Sequence, residues 1–171
     1  MKVWIRNLTK DEDLEINLPV TEEKLDKLLD PNDEYIILQS EILDVGEYDS
    51  IDELNEFLQE CEDSGNIKTL EILSATYLYH EVREMMTKGY TIVNFDTITE
   101  DWYGGSGGNF TNAAHKGMCL YDSGFYNPFH FEMNDEIYDW IDWDSVWINA
   151  ETVGWREVNL NGEHYLVHKG E

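Results

Sequence analysis

Four side chains in this sequence could be gathered around a metal ion. His115 and Cys119 lie four residues apart, one face of a helix, and His164 and His168 share one face of a strand. Imidazole and thiolate are zinc donors, but the set has no C-x-x-C knuckle, and surface or packing histidines account for the same spacing, so no metal is expected. A cysteine–histidine nucleophile built from the same first pair is weaker still. The acids of "DWIDWD", Asp139 to Asp144, miss the calcium-loop frame, which needs ligands at alternate positions, a central glycine and a terminal glutamate. "GGSGG", Gly104 to Gly108, lacks the Lys-Ser/Thr ending of a phosphate-binding loop and reads as a flexible connector. Carboxylates are so abundant that no pair stands out for acid–base catalysis. Neither an enzyme nor a cofactor is expected.

What remains is the carboxylates themselves. The chain has 171 residues, 37 of them acidic and 11 basic, for a formal charge of −26. That exceeds the magnitude of about 2–8 that keeps a small domain soluble. Such a field repels nucleic acid and anionic membrane and steers the chain towards a basic surface. The basic residues are scattered and form no patch, so the counterion-release term behind DNA binding would act in reverse. Six Trp, ten Tyr and six Phe argue for a packed core over disorder. The N-terminus has no apolar signal region and no later segment has the length of a membrane span, which leads to the expectation of a cytoplasmic protein. Cys61 and Cys119 suit a reducing compartment, with Cys61 packing as a small hydrophobe.

The elements that must hold these carboxylates follow from periodicity. "YDSIDELNEFLQECED" has an S-x-x-E capping box at Ser50 and Glu53 and gathers Ile51, Leu54, Phe57, Leu58 and Cys61 on one side. Asp52, Glu56, Glu60 and Asp63 gather on the other. Three like-charge steps at that spacing cost on the order of 1 kcal/mol in total, which suggests a selection other than helix stability. Ahead of this helix, "VWIRNL" and "LEINLP" read as a hairpin, "TEEKLDKLL" as a helix capped by Thr21 and "YIILQS" as a strand. Residues 28–67 hold thirteen acids and no Lys or Arg, so no local partner neutralises them. "TLEILSATYLYHEVREMMTKG" reads as one long helix ending at Gly89, and "TIVNF" as a strand. After an irregular start, the last segment becomes regular at Asn134, a cap for a helix with Trp140, Trp143 and Trp147 on one side and Asp135, Asp139 and Asp142 opposite. Asn161-Gly162 signals a final type I′ hairpin. The expectation is an α+β chain of three small modules, 1–63, 64–103 and 104–171, dimerising through the three tryptophans.

Duplex DNA carries one charge per about 1.7 Å of axis, so 26 charges at that density equal about 13 base pairs. Carboxylates about 5–6 Å apart on a helix, or about 6.6 Å apart on alternate strand positions, echo that spacing. Phosphate contacts position DNA-binding proteins without carrying base sequence, so a decoy needs no bases.

The sequence resembles the ArdA antirestriction proteins. "VWIRNL" is similar to the family's first strand, "DEYIILQSEI" followed by "YDSIDELNEFL" to its most specific signature, and "IYDWIDWDSVW" to an element before its last hairpin. Trp147, Ile148 and Asn149 stand where the family has a small residue, Arg and Asp, and the Gly104–Phe131 insert also departs from the pattern. The resemblance implies an elongated, dimeric mimic of B-form DNA that occupies the DNA-binding surface of type I restriction–modification enzymes. Asp33, Glu34, Glu41, Asp44, Glu47, Asp49, Asp52, Glu53, Glu56, Glu60 and Asp63, with Asp135, Asp139 and Asp142, would then stand for phosphates. An inhibitor of another nucleic-acid-binding defence protein, such as a CRISPR effector, and an acidic adaptor for a basic protein are the alternatives.

Overall fold

A computed structural model of the chain describes residues 1–95 and 112–170. They form two compact units, Met1–Thr87 and Lys88–Glu171, in a mixed α+β architecture with a three-stranded antiparallel sheet in each.

In the first unit, β1 (Lys2–Asn7) is the middle strand, with β2 (Glu12–Asn17) and β3 (Tyr35–Ser40) antiparallel on either side. Alternation along β1 sends Val3 and Ile5 inward, fully buried, with Ile5 paired to Leu14 on one side and Ile37 on the other. Helix α1 (Glu22–Leu28) follows β2, and α2 (Ile51–Asp63) lays Leu54, Phe57, Leu58 and Cys61 into the core. Thr21 occupies the N-cap of α1 but its hydroxyl makes no cap bond, contrary to expectation; its carbonyl accepts from Lys24 and Leu25 instead. The buried Asn55 ties α2 to the chain leaving β2, donating to the Val20 carbonyl and accepting from the Val20 N–H, each at 2.8 Å.

The expected long helix before Gly89 is two: α3 (Ile67–Ser74) and α4 (Tyr79–Lys88). Continuity would require the Tyr79 N–H to bond within the helix, but it donates to the Asp44 carbonyl at 3.1 Å. Thr76 and Tyr77 both fold back on the Leu73 carbonyl, while Glu81 accepts from the Leu78 N–H at 3.1 Å and starts the new helix. Tyr79 is thereby driven into the core, edge-on to Phe57 at 5.8 Å. The sequence boundary drawn at Ser64–Asn66 is a tight link between α2 and α3, with both helices inside this first unit.

In the second unit, β4 (Tyr90–Asn94), β5 (Arg156–Leu160) and β6 (Glu163–Lys169) pair in the order β4-β6-β5. Asn161 at φ 55° and Gly162 at φ 86° close the last hairpin as the Asn-Gly signal predicts. The segment expected to be irregular before Asn134 holds an eleven-residue helix, α5 (Asn112–Asp122). Its central Gly117 conceals it in sequence and explains its packing. A Cβ at Gly117 would stand 2.3 Å from the Trp143 carbonyl oxygen and 3.2 Å from the Trp147 nitrogen, so the backbones of α5 and α7 (Trp143–Thr152) approach where only hydrogen fits. The connector read at Gly104–Gly108 and part of the insert lie outside the described residues.

The helix expected to run on from Asn134 is also broken. Asn134 caps α6 (Asp135–Tyr138), accepting from the Ile137 N–H at 2.9 Å, but that helix is one turn long. Asp142 then caps α7, accepting from the Ser145 N–H at 3.2 Å and its hydroxyl at 2.7 Å. A second cap inside the pattern ends the alignment of the three tryptophans. Trp143 and Trp147 are buried in their own unit, and Trp140 is exposed in the turn between the helices.

Candidate carboxylate interface

Helix α2 starts as its sequence predicts, with the Ser50 hydroxyl accepting from the Glu53 N–H at 3.3 Å. The reciprocal half of the capping box does not form. Glu53 turns instead to Arg83 of α4, at 2.7 Å, whose guanidinium lies 5.5 Å from the Tyr79 ring centre. Arg83 is therefore the cation that the acidic segment lacks locally, and it reaches one carboxylate of the helix. Asp52, Glu56, Glu60 and Asp63 are all exposed, and among the described residues none pairs with a Lys, Arg or His. Asp63 accepts only from the Gln59 amide, at 3.0 Å. The last turn contains Glu62 and Asp63 and no basic residue, the wrong sign for the C-terminal end of a helix dipole. Alongside, α2 and α4 border a cleft of about 230 Å³ lined by Glu53, Glu56 and Glu60 against Arg83, Met86 and Thr87.

Other acids of the first unit divide by what their oxygens already do. Glu34, Glu41, Asp44, Glu47 and Asp49 are exposed. Glu41 accepts from the Lys2 backbone N–H at 2.9 Å, and Asp49 from the Gly46 N–H at 2.8 Å, so both brace the backbone while keeping their charge at the surface. Asp33 differs. Its side chain is only 7% exposed, held by the Lys10 ammonium at 2.6 Å and the Asn7 amide at 2.8 Å. These bonds hold its carboxyl below the usual range, Lys10 contributing most. Asp33 is thus engaged in structure and already neutralised.

In the second unit Asp135, Asp139 and Asp142 are exposed, but on two short elements instead of one helix face. The two hydrogen bonds from Ser145 lower the Asp142 pKa. The sites of conventional chemistry sought in sequence have other occupations. Burial pushes the Cys119 thiol up to about 12, the wrong direction for a nucleophile or a zinc ligand. His164 contacts Glu157 at 3.1 Å and His168 the Val153 carbonyl at 3.0 Å. Among the described residues no group of three or more His, Cys, Asp or Glu is placed to hold a metal ion.

Sequence reading missed one polar cluster. Lys116, 8% exposed on α5, pairs with Glu157 of β5, and its ammonium lies 5.0 Å from the centre of the Trp147 ring. Glu157 also meets His164, so one carboxylate joins helix and both strands of the final hairpin. Its pKa is set by opposing causes: desolvation raises it, and the hydrogen bonds from Lys116 and His164 prevail to leave it lowered. Lys116 and Glu157 lie 41 positions apart, and neither carries a local signature that announces the pair. Lys116→Met is expected to destabilise this unit by about 2 kcal/mol, because Glu157 is left half-buried with only His164. Adding Glu157→Gln should recover part of that loss. Urea unfolding of the single and double variants checks it, and additive losses would mean that the pair contributes no coupling.

No protein-family model matches the chain, and no curated protein is significantly similar to it in sequence.

Proposed function

We propose that this protein is a DNA-mimic inhibitor that occupies the DNA-binding surface of a type I restriction–modification enzyme. The observation that carries the reading is α2: a helix capped at Ser50 and buried along its apolar side, whose outer carboxylates are exposed and, Glu53 apart, unpaired with any cation among the described residues. Asp52 stands in the first turn, where the helix dipole accepts an acid, but helix stability favours Lys at Glu56, Glu60 or Asp63, and Lys or Arg in the last turn. Their absence keeps a row of negative charge available to a basic groove. The exposed acids Glu34, Glu41, Asp44, Glu47 and Asp49 extend the supply of charge. Asp33 does not belong with them, being committed to Lys10 and Asn7.

The similarity of the N-terminal segments to ArdA proteins supplies the choice of target, and with it the expectation of an elongated dimer in the bacterial cytoplasm. That dimer draws no support from a stripe of three tryptophans, since two of them fill their own core. An inhibition panel of purified type I restriction enzymes and CRISPR effectors tests the target. Inhibition of the restriction enzymes is expected. Inhibition confined to the effectors would move the mimicry to that class of defence protein. The exposed Trp140 favours a second reading, an acidic adaptor gripping a basic partner partly by apolar contact. Binding that survives moderate salt would select the adaptor over the mimic.

A further inference from the structure

Trp140 is 89% exposed, in a chain where Trp143, Trp147 and Trp155 are each nearly completely buried. It does not sit on a loose loop. Its N–H donates to the Ile137 carbonyl at 2.9 Å, and the turn is bounded by the Asn134 cap on one side and the Asp142 cap on the other. Nor could it simply turn inward, because Trp143 already fills the aromatic core, its ring tilted against Tyr138 at 4.5 Å and its indole N–H on the Tyr138 carbonyl at 3.2 Å. The bonds that define the turn are all backbone or cap bonds, so a polar residue at 140 would keep them. The unit's own stability asks for no indole there, and tryptophan is a residue seldom left in water.

The neighbours point to the occupant. Glu136, four residues back, and Asp139, immediately before, are exposed acids, as is Asp135. An aromatic face attracts a cation through its quadrupole, and adjacent carboxylates add to that attraction. A planar guanidinium exploits both, stacking on the ring while its edge donates to carboxylate, which an ammonium cannot do equally well. A nucleic acid would instead bring like charge to the same place. We propose that Trp140, with Glu136 and Asp139, forms an arginine-binding contact on the protein partner, a stacking site that accompanies the carboxylates standing for phosphates. This deepens the proposed function and rests on it in one respect, the basic character of the partner.

The test uses hexa-arginine and hexa-lysine as probes of equal charge, titrated into the full ¹⁵N-labelled chain. The Trp140 indole N–H resonance, assigned by its loss in Trp140→Phe, should move more with hexa-arginine than with hexa-lysine. Trp140→Ala should weaken hexa-arginine about two- to fivefold and hexa-lysine by less, with Trp140→Phe in between. Because the side chain is exposed, both variants should keep the far-UV spectrum and melting temperature of the parent. Equal responses to the two peptides, or no loss in Trp140→Ala, would overturn the contact. A Trp140 resonance that moves on diluting the protein alone would give the face to a second copy and overturn it equally. Failure here is separable from failure of the mimic reading, which is scored by inhibition and by the α2 carboxylates in the other unit.

Discussion

Gly117→Ala should destabilise the second unit by about 3 kcal/mol or more, the largest loss expected from a methyl added at any glycine among the described residues. The new Cβ would meet the Trp143 carbonyl oxygen at 2.3 Å and the Trp147 nitrogen at 3.2 Å. Both are backbone atoms of α7, so no side-chain rotamer can relieve the clash and the two helices must separate. Overpacking of a tight core typically costs about 1–3 kcal/mol, and separation here would also loosen Trp143 and Trp147, which the crossing buries. Alanine has the better helix propensity by about 1 kcal/mol, so a neutral or stabilising result would show that the helices do not cross at this distance. Thermal unfolding read by tryptophan fluorescence decides it. Gly65, whose φ is +72° but whose Cβ would meet nothing within 4 Å, provides the contrast: Gly65→Ala should show conformational strain alone.

The second large effect is functional. Replacing Asp52, Glu56, Glu60 and Asp63 by Asn or Gln should leave α2 as stable or more stable, by up to about 1 kcal/mol from relieved like-charge repulsion. Inhibition should nevertheless fall, on the order of a hundredfold near 0.1 M salt, and the slope of log affinity against log salt should drop by up to about four. Loss should accumulate across the four positions, since each carboxylate is one contributor to a shared field. Asp33→Asn is the control. Its carboxylate is paired with Lys10 and Asn7, so the variant should lose stability and, at temperatures where it remains folded, inhibit like the parent. A folded quadruple variant with unchanged inhibition and unchanged salt slope would exclude this helix from the interface.

How much of this was legible in the sequence depends on the range of the forces involved. Ser50, Asn134 and Asn161-Gly162 act within three residues, and each lies where local chemistry places it. The hairpin, β3 and the apolar side of α2 were equally local. The failures are non-local. The break between α3 and α4 depends on Asp44 capturing the Tyr79 N–H across thirty-five residues, and α5 is a helix whose glycine makes sense only against α7. The tryptophan stripe failed because Asp142, read as one of a row of surface acids, is also a cap that starts a new helix. Among the candidate interface carboxylates, type and spacing identified the exposed set on α2, but not the two that have basic partners among the described residues. Asp33 meets Lys10 through the sheet, and Glu53 meets Arg83 from α4.

The central claim is that a basic DNA-binding groove takes this chain in place of DNA. Its most direct test is fluorescence anisotropy of a labelled duplex bound to a purified type I restriction enzyme, titrated with the chain at 50 and 200 mM salt. The account predicts displacement of the labelled duplex at 50 mM, with an inhibition constant for the chain that weakens by orders of magnitude at 200 mM, a chain concentration for half-displacement that rises with the duplex concentration, and no anisotropy change when the chain meets the duplex alone. Binding of the chain to the duplex itself, or displacement whose strength depends on neither salt nor duplex concentration, would contradict it.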